Sequence, residues 1–268
     1  MTFVKDKTKN LVVVQTSSRS KRPHLPSVCP FCPGNESLTP PSTLCLPSAA
    51  WKVRCFPNAF PVVAGAHEVI VETNVHGALF ENFSREQLRW VFEAYQNRYR
   101  ALSKKGGYVF LFKNFGPKSG ASIPHEHAQV VRFPFVPDML LTEVQHDRAF
   151  TKLLHEPTLA ENRFSRAVCP AFSRFPWEVW ILAKDPKKRF ERFQQEEGLA
   201  LLELLQRVVR KIKRYSTDYT VAIHSAPKGK RLRFHMEIYP RKPVWGGIEL
   251  GTGVIVNFKS SRSALKDL

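Results

Sequence analysis

The chain has 268 residues, 43% of them hydrophobic, so it can bury one large core or two small ones. Its formal net charge of +18 is spread along the chain and favours anionic ligands, namely nucleic acid, acidic membranes or phosphorylated small molecules. Five cysteines, an odd number, argue against a disulfide framework, and the sequence has neither a signal-peptide pattern nor an apolar run long enough to span a bilayer. We therefore expect a soluble, cytoplasmic protein.

Hydrophobic periodicity predicts strands and helices with long loops between several of them. A capping-box pattern from Ser84 to Gln87 marks the start of the first helix, and Gly106 with Gly107 marks its end. Residues 134–163 are less regular, and the polar carboxyl-terminal tail is expected to fray. In chain order, we predict strands at 11–15, 51–56 and 68–72, a helix from 84 to about 105, strands at 108–112, 128–133 and 177–183, a helix from about 185 to 215 with a break near 198, and strands at 218–224, 234–239 and 254–257.

The order of these elements repeats along the chain. Each half contains a strand, a helix, a second strand, a loop and then a histidine at the start of a further strand. Eleven residues separate Asn114 from His125, and eleven also separate His224 from His235. This repeat predicts an α+β fold of two duplicated units that share one largely antiparallel sheet, with helices packed on one side. The two predicted halves are residues 1–145 and 146–268.

The strongest functional pattern lies in the centre of the chain. His125, His127 and Gln129 occupy alternate positions at the start of a strand, so their side chains share one face. Gly116 and Gly120, in the preceding loop, would let backbone N–H groups approach a phosphate closely. On spacing alone, two strand-end histidines, one of them merely packed, are an equally good interpretation.

A second pattern is the sequence Cys29-Pro-Phe-Cys32. Two thiolates at this spacing can bind one zinc ion, but a tetrahedral site needs two more ligands from elsewhere. The alternative, a redox pair, is expected at the start of a helix, and Pro30 with Pro33 argues against that.

Two arginines near the amino terminus are candidate phosphate ligands. Arg19 and Arg22 could clamp a diphosphate, because guanidinium groups match phosphate oxygens. A solvated basic loop is the alternative interpretation, and the residues alone favour it.

Several motifs in the right order resemble the galactose-1-phosphate uridylyltransferases of the histidine-triad superfamily. The resemblance runs from about Arg19 to Asn257, and it implies that the duplicated units are histidine-triad-like. It also implies a homodimer. The motifs that carry it are Arg19-Ser-Lys-Arg-Pro23, Cys29-Pro-Phe-Cys-Pro-Gly-Asn-Glu36, Pro57-Asn-Ala-Phe-Pro61, His67-Glu-Val-Ile-Val-Glu72, residues 114–129, Phe234-His-Met-Glu-Ile-Tyr-Pro-Arg241 and Gly247-Ile-Glu-Leu-Gly-Thr-Gly253.

The resemblance implies a reaction and a role for each matched residue. His127 matches the nucleophile that takes UMP from UDP-glucose and passes it to galactose 1-phosphate or a related hexose 1-phosphate, with ping-pong kinetics. Gln129 matches a glutamine that holds a phosphoryl oxygen, and glutamine at this place favours transfer over hydrolysis. The matched substrate-binding residues are Arg19, Arg22, Asn58, Asn114, Ser122, Gln129 and, for the hexose hydroxyls, Glu249.

The resemblance also implies metal ligands. It places a structural Zn²⁺ on a Cys2His2 set, which supplies the two ligands that the Cys-x-x-Cys motif lacks. A second metal, iron or zinc, occurs in some members, but Glu237 stands where those members have histidine, so whether this chain fills that site stays open. The zinc set is Cys29, Cys32, His76 and His125, and the second set is Glu143, His224, His235 and Glu237.

Two departures from the family pattern bear on function. Glu126 replaces the usual proline between the two histidines, and Ala59 replaces an aspartate that contacts the nucleotide, which puts uridine specificity in doubt. Alternatives within the superfamily are an ADP-sugar phosphorylase and a dinucleoside polyphosphate phosphorylase. An alternative of another class is a basic nucleic-acid-binding protein, but charge alone is unspecific and no nucleic-acid-binding motif is present, so we do not expect nucleic acid as a partner.

Overall fold

A computed structural model describes residues 1–6, 8–9, 11–21 and 27–268. In these ranges the regular elements are β1 (Thr2–Asp6), β2 (Leu11–Gln15), β3 (Leu44–Leu46), β4 (Val53–Pro57), β5 (His67–Val71), α1 (Arg85–Ser103), β6 (Tyr108–Phe115), β7 (His127–Phe133), α2 (Asp138–Gln145), α3 (Asp147–Leu153), β8 (Thr158–Glu161), β9 (Ser165–Val168), β10 (Val179–Ala183), α4 (Gln195–Ile212), β11 (Tyr219–His224), β12 (His235–Pro240), α5 (Gly247–Thr252) and α6 (Ser261–Asp267). No helix within these ranges is both long and apolar enough to cross a membrane.

Ten strands form one sheet in the order β3-β4-β5-β7-β6-β11-β12-β10-β9-β8, and every neighbouring pair is antiparallel. Read outward from its centre, the order β6-β7-β5-β4-β3 on one side corresponds to β11-β12-β10-β9-β8 on the other. The two series meet where Asn114 of β6 pairs with Thr220 of β11. The predicted α+β fold of duplicated units is confirmed, while the division at residue 145 stays a prediction.

The two long helices cover one face of the sheet and pack against each other. Helix α1 begins at the predicted cap, where Ser84 Oγ accepts a hydrogen bond from the backbone N–H of Gln87 at 3.1 Å. Helix α4 is continuous through Gly198, so the predicted break is wrong. An ideal Cβ at this position would lie 2.0 Å from Cζ of Phe92, so glycine is present because α1 and α4 approach closely here.

Helix α4 begins later than predicted, at Gln195 rather than near residue 185. The reason is a cap that sequence periodicity did not show: Glu197 Oε2 accepts a hydrogen bond from the backbone N–H of Gln194 at 2.7 Å. The preceding residues form a short 3-10 turn at Phe190–Arg192 instead.

The stretch that looked irregular, residues 134–163, contains α2, α3 and β8. The two short helices lie on the face of the sheet opposite α1 and α4. There Leu140 and Phe150 pack with Tyr108 and Trp180 in a separate apolar cluster. Each helix has eight residues or fewer, which is too short to show a helical stripe in the sequence.

The carboxyl-terminal part also differs from expectation. Residues 254–257 do not form a strand, and Val254 and Val256 are exposed rather than packed. The tail is ordered rather than frayed. Helix α6 is held by hydrogen bonds from Trp177 Nε1 to Asp267 Oδ2 at 2.7 Å, and Leu268 is buried.

Candidate active site and metal centres

His127 and Gln129 lie on β7, which is hydrogen-bonded to β5 and β6 in the interior of the sheet. Ala128 and Val130, at the alternate positions, point into the core beneath α1. His127 and Gln129 therefore face the other side, where both line the same cavity and each is only 5% exposed. The shared face predicted from the spacing is present in the structure.

The backbone sets which nitrogen of His127 can react. Nδ1 of His127 lies 2.7 Å from the backbone carbonyl oxygen of His125, which can only accept a hydrogen bond. Nδ1 therefore carries the proton in the neutral ring, and the lone pair is on Nε2. The ring of Phe31 meets the imidazole edge to face, with 5.2 Å between centroids, and fixes its plane.

A second chain of hydrogen bonds orients Gln129. The backbone N–H of Val62 donates to Nδ1 of His67 at 3.0 Å, so Nε2 of His67 must carry the proton. Nε2 of His67 then donates to Oε1 of Gln129 at 3.0 Å, and Asn58 Nδ2 donates to the same oxygen at 3.3 Å. With its oxygen held by two donors, Gln129 presents its NH2 group as a hydrogen-bond donor.

This relay gives His67 a role that the sequence did not reveal, and it can be tested. Replacing His67 with phenylalanine should lower the rate of any phosphoryl chemistry at His127 by about 10- to 100-fold, because Gln129 loses its orientation. His67→Gln, which keeps an N–H donor near Nε2, should retain most of the rate. Stopped-flow or quench measurements of the first turnover check this, and equal losses in both variants would contradict the relay.

The cavity in front of His127 has a volume of about 310 Å³. Its walls are largely apolar and come from the proline-rich stretch, from β4 and β5, and from the segment before β7. Its volume is at the lower end of the range typical of small-molecule sites. The lining residues are Val28, Pro30, Phe31, Leu38, Thr39, Pro40, Phe56, Asn58, Ala59, Phe60, Val69, Ser122, Ile123, His127 and Gln129.

A second cavity of about 500 Å³ lies on the other side of Ser122 and Ile123, which line both. Asn114 contributes to this second cavity, where its Oδ1 accepts a hydrogen bond from Thr220 Oγ1 at 3.1 Å. Ser122 is 5% exposed. The two cavities therefore have room for two parts of one ligand, and Ser122 lies between them.

The backbone N–H groups of the glycine-bearing loop are not oriented as the sequence predicted. Its N–H groups at residues 119, 120 and 121 are hydrogen-bonded to carbonyls of the same loop, and the N–H of Lys118 donates to Asp218 Oδ2 at 2.6 Å. They are thus not directed at a phosphate. Gly116 is required for another reason: it has φ +82° and an ideal Cβ would lie 2.4 Å from Cγ of Asp218.

The four predicted zinc ligands come together beside His127. The donor atoms of Cys29, Cys32, His76 and His125 all lie within 4.8 Å of one another. Nδ1 of His125 is 3.5 Å from Sγ of Cys29 and 3.8 Å from Sγ of Cys32, and Nδ1 of His76 is 3.4 Å from Sγ of Cys32. A tetrahedral zinc ion, with bonds of about 2.3 Å to sulfur and about 2.0 Å to nitrogen, separates its ligand atoms by roughly 3.5 Å.

The surroundings of His125 also fit a metal ligand. Its Nε2 lies 2.8 Å from the carbonyl oxygen of Thr73, so Nε2 carries the proton and Nδ1 is left with the lone pair toward the sulfurs. Burial lowers the pKa of His125, which favours the neutral form that a metal requires. The residues of this cluster therefore fit a zinc ion.

Comparison with known proteins agrees with this geometry. A family model described as the N-terminal domain of a domain of unknown function, DUF4931, matches residues 23–136. ADP-glucose phosphorylase of Arabidopsis thaliana is 25% identical over 94% of this chain and 88% of its own length. Galactose-1-phosphate uridylyltransferase of Thermotoga maritima is 26% identical over 91% of this chain and 90% of its own. A solved uridylyltransferase structure, 24% identical, superposes with a TM-score of 0.85 over 100% of this chain and 97% of that one.

The chain is therefore similar along most of its length to galactose-1-phosphate uridylyltransferases, a group in the histidine-triad superfamily. The relatives named above are a phosphorylase and a uridylyltransferase, and this similarity supports a nucleotidyltransferase.

Three of the four residues predicted as a second metal set also lie together, and Glu237 is not part of that group. Donor atoms of Glu143, His224 and His235 lie within 4.8 Å of one another. Glu237 Oε1 is 3.4 Å from Nε2 of His235, while its Oε2 accepts a hydrogen bond from Arg174 at 2.7 Å. Within the described residues, Glu143 Oε2 and His235 Nε2 are buried without a hydrogen bond. These two atoms lie 3.7 Å apart, and imidazole and carboxylate donors of this kind fit a divalent cation.

The pKa shifts in this second set do not all favour a metal ion: burial alone would lower the pKa of His235, but Glu237 and Glu143 raise it above its ordinary value, which favours the protonated ring. Nδ1 of His235 is 2.9 Å from the carbonyl oxygen of Arg233, and its Nε2 lies 3.7 Å from Glu143 Oε2 and 3.4 Å from Glu237 Oε1. Burial lowers the pKa of His224 to about 3 and raises the pKa of Glu143 to about 7. A cation would draw Glu143 into its charged form, while His224 stays neutral.

The remaining predicted residues are placed less favourably. Arg19 reaches the cavity edge, where its Nη1 donates to the carbonyl oxygen of Phe60 at 3.5 Å. Arg22 lies outside the described residues. Glu249 is on the exposed helix α5 and lines neither cavity; its carboxylate instead accepts a hydrogen bond from the backbone N–H of Gly246 at 2.9 Å.

Proposed function

We propose that this chain is a nucleotidyltransferase that transfers a nucleoside monophosphate from a nucleoside diphosphate sugar through a covalent intermediate on His127. The observation that carries this proposal is the hydrogen bond from Nδ1 of His127 to the carbonyl oxygen of His125, because it puts the lone pair on Nε2 beside the cavity proposed for the nucleoside. Imidazole is largely neutral near pH 7 and is a good nucleophile in that form.

The proposed reaction has two balanced halves. The Nε2 lone pair of His127 forms a bond to the α-phosphorus, and the bond from that phosphorus to the bridging oxygen breaks, so sugar 1-phosphate leaves with the electron pair. In the second half, a phosphate oxygen of the acceptor attacks the same phosphorus, and the N–P bond breaks to restore the lone pair. The NH2 group of Gln129 would stabilise the charge on the phosphoryl oxygens without giving up a proton.

We further propose that Cys29, Cys32, His76 and His125 hold a structural zinc ion. A closed set of four protein ligands leaves no position for substrate, so the ion would supply stability rather than chemistry. Its effect on the site runs through His125, whose backbone oxygen holds Nδ1 of His127. For the second set, with Glu143 and His235, we propose a bound iron or zinc ion.

The first candidate substrates are UDP-glucose as donor and a hexose 1-phosphate as acceptor. Support comes from the relatives named galactose-1-phosphate uridylyltransferase and from the matched His127 and Gln129. The positions of Asn58, Asn114 and Ser122 in the two cavities are compatible with binding a nucleotide and a sugar phosphate.

A second candidate, an ADP-sugar phosphorylase, is favoured by the wall of the nucleoside cavity. Ala59 offers no polar group there. Thr39 is already engaged, since its Oγ1 accepts from Arg54 Nη1 at 2.9 Å and donates to the carbonyl oxygen of Glu36 at 2.9 Å. Asn58 is held by Phe60 and Gln129. A pocket that recognises the base mainly by apolar contact gains more from the larger adenine ring.

The two candidates are separated by one experiment. The purified protein is incubated with UDP-glucose and, in parallel, with ADP-glucose, and its intact mass is recorded. Addition of one UMP that is lost when galactose 1-phosphate is added supports the uridylyltransferase. Addition of one AMP that is lost on adding inorganic phosphate supports the phosphorylase. No adduct with either sugar nucleotide, in protein that contains zinc, would contradict the proposed function.

A homodimer and a cytoplasmic location complete the proposal. The stretch from Val244 to Phe258 exposes large apolar side chains, among them Val244 at 89% and Leu250 at 70%, and such a stretch is typical of a subunit interface. All five cysteines are unpaired, and two of them are proposed metal ligands, which suits a reducing compartment. Sedimentation analysis would report the oligomeric state.

A further inference from the structure

A buried lysine connects the strand ends that carry the two histidines. Lys113 lies near the end of β6, opposite Ala128 of β7, and its side chain is only 4% exposed. Its Nζ atom forms ion pairs with Oε2 of Glu72 and with Oε2 of Glu126. Both carboxylates are also buried, at 0% and 2% exposure. These three residues form a closed charged cluster between the sheet and α1.

Glu126 occupies the position between His125 and His127, on the opposite face of the chain. Its carboxylate is fixed from two directions, because Oε2 pairs with Lys113 and Oε1 accepts a hydrogen bond from the backbone N–H of Phe80 at 2.8 Å. The side chain of Glu126 thus fastens the backbone on which both histidines are carried.

Glu72 fastens the neighbouring strand to the same segment. Its backbone N–H donates to the carbonyl oxygen of Glu126 at 3.0 Å, and Tyr95 Oη donates to its Oε1. The next residue, Thr73, accepts the hydrogen bond from Nε2 of His125 at 2.8 Å. Thr73, which orients His125, is therefore the direct sequence neighbour of Glu72 in the charged cluster.

The cluster depends on Lys113 for its charge balance. Burial alone would lower the pKa of Lys113, but the carboxylates of Glu126 and Glu72 more than offset this and hold its pKa above the ordinary value. Burial raises the pKa of Glu72, with Lys113 opposing that effect. A buried carboxylate that loses its cation has to move toward water or take up a proton. Without Lys113, Glu126 Oε2 loses its ion-pair partner, and one of the two contacts that hold this side chain is gone.

We infer that Lys113 is a positioning residue for His127 and His125, acting through Glu126. It does not line either cavity, so any effect on the reaction passes through the backbone of the His125–His127 segment. The catalytic part of this inference rests on the proposed function, because His127 is a nucleophile only under that proposal. The part that concerns His125 rests on the metal cluster alone.

The test replaces Lys113 with methionine, which keeps the length of the side chain and removes its charge. Three quantities are measured: the rate constant for nucleotidylation of His127 at saturating sugar nucleotide, the affinity for that nucleotide, and the affinity for zinc in a competition with a chelator. We expect a rate constant lower by about 100-fold, a nucleotide affinity within about twofold of the original, and a zinc affinity weaker by about 10-fold.

Arg98→Met is the matched control. Arg98 of α1 forms a largely buried, bidentate ion pair with Glu68 of β5, with N–O distances of 2.7 and 2.8 Å. This ion pair does not include Glu126 or either histidine of the site. Like Lys113→Met, this substitution removes one cation from the region between the sheet and α1. We expect a similar fall in Tm with little change in the rate constant. An equal loss of rate in Arg98→Met at the same fall in Tm would overturn the inference, because the effect would then be general destabilisation.

A second variant covers the case in which Lys113→Met does not fold. The triple change Lys113→Met, Glu72→Gln and Glu126→Gln removes all three charges together. We expect it to fold but to keep the low rate and the weak zinc affinity, since the link to Glu126 is still missing. A rate and zinc affinity equal to those of the original protein would overturn the inference.

The failures of the two proposals can be told apart. If the unaltered protein forms no adduct with any sugar nucleotide, the proposed function fails, and the zinc affinities still decide about Lys113. If adducts form on the unaltered protein and the Lys113 variants keep both rate and zinc affinity, the inference fails while the proposed function stands.

Discussion

Replacing His127 with glycine is expected to abolish nucleotidyl transfer, lowering turnover by roughly four orders of magnitude or more. Among the described residues beside the cavity, the structure shows no substitute for it. The imidazole of His67 is occupied between Val62 and Gln129, and His125 directs its lone pair toward the cysteines. Steady-state turnover with the sugar nucleotide identified by the adduct test measures this loss.

The control for this change is His155→Gly, which removes an exposed histidine distant in sequence from the site. It should leave turnover unchanged. Nucleotide affinity should also persist in His127→Gly, since most of the cavity wall is apolar and does not involve the imidazole. Turnover above about one tenth of the original in His127→Gly would mean that another group is the nucleophile.

Loss of a zinc ligand is expected to have the second largest effect. Cys29→Ser should remove one zinc ion per chain and lower Tm by about 10 °C or more, because the free energy of binding a structural metal contributes directly to folding. The segment held by the ion includes Phe31, which contacts His127 and forms part of the nucleoside cavity. Nucleotide affinity should therefore fall together with the metal content.

Cys45→Ser is the matched control for the zinc ligand, because Cys45 lies on β3 outside the cluster and is also partly exposed. It should keep its zinc, its Tm and its nucleotide affinity. Metal analysis by mass spectrometry and calorimetry report the first two quantities. A full zinc content in Cys29→Ser, or no zinc in the unaltered protein purified without chelator, would contradict the assignment.

Much of the site could be predicted because its signals are local. The spacing of His125, His127 and Gln129 on alternate residues directly gives their common face, and strand geometry leaves no other arrangement. The pair Cys29 and Cys32 is likewise a local motif, although its partners came only from the family resemblance. The start of α1 at Ser84 was also predictable, because the capping-box pattern spans only four residues.

Other features depend on partners far away in the sequence. Nothing near His67 shows that it will hold Gln129, which is 62 residues further along the chain. The amides of the glycine loop are satisfied within the loop and by Asp218, 100 residues beyond Lys118. Lys113, beyond the predicted strand at 108–112, likewise pairs with two carboxylates distant in sequence, those of Glu72 and Glu126.

The measurement that tests the central claim most directly is a single-turnover reaction with a sugar nucleotide labelled on its α-phosphate. The proposal predicts that label appears in acid-precipitated protein before acceptor is added, that peptide mapping places it on His127, and that it leaves the protein when acceptor is supplied. Product formation without labelled protein, or label on a residue other than His127, would contradict it.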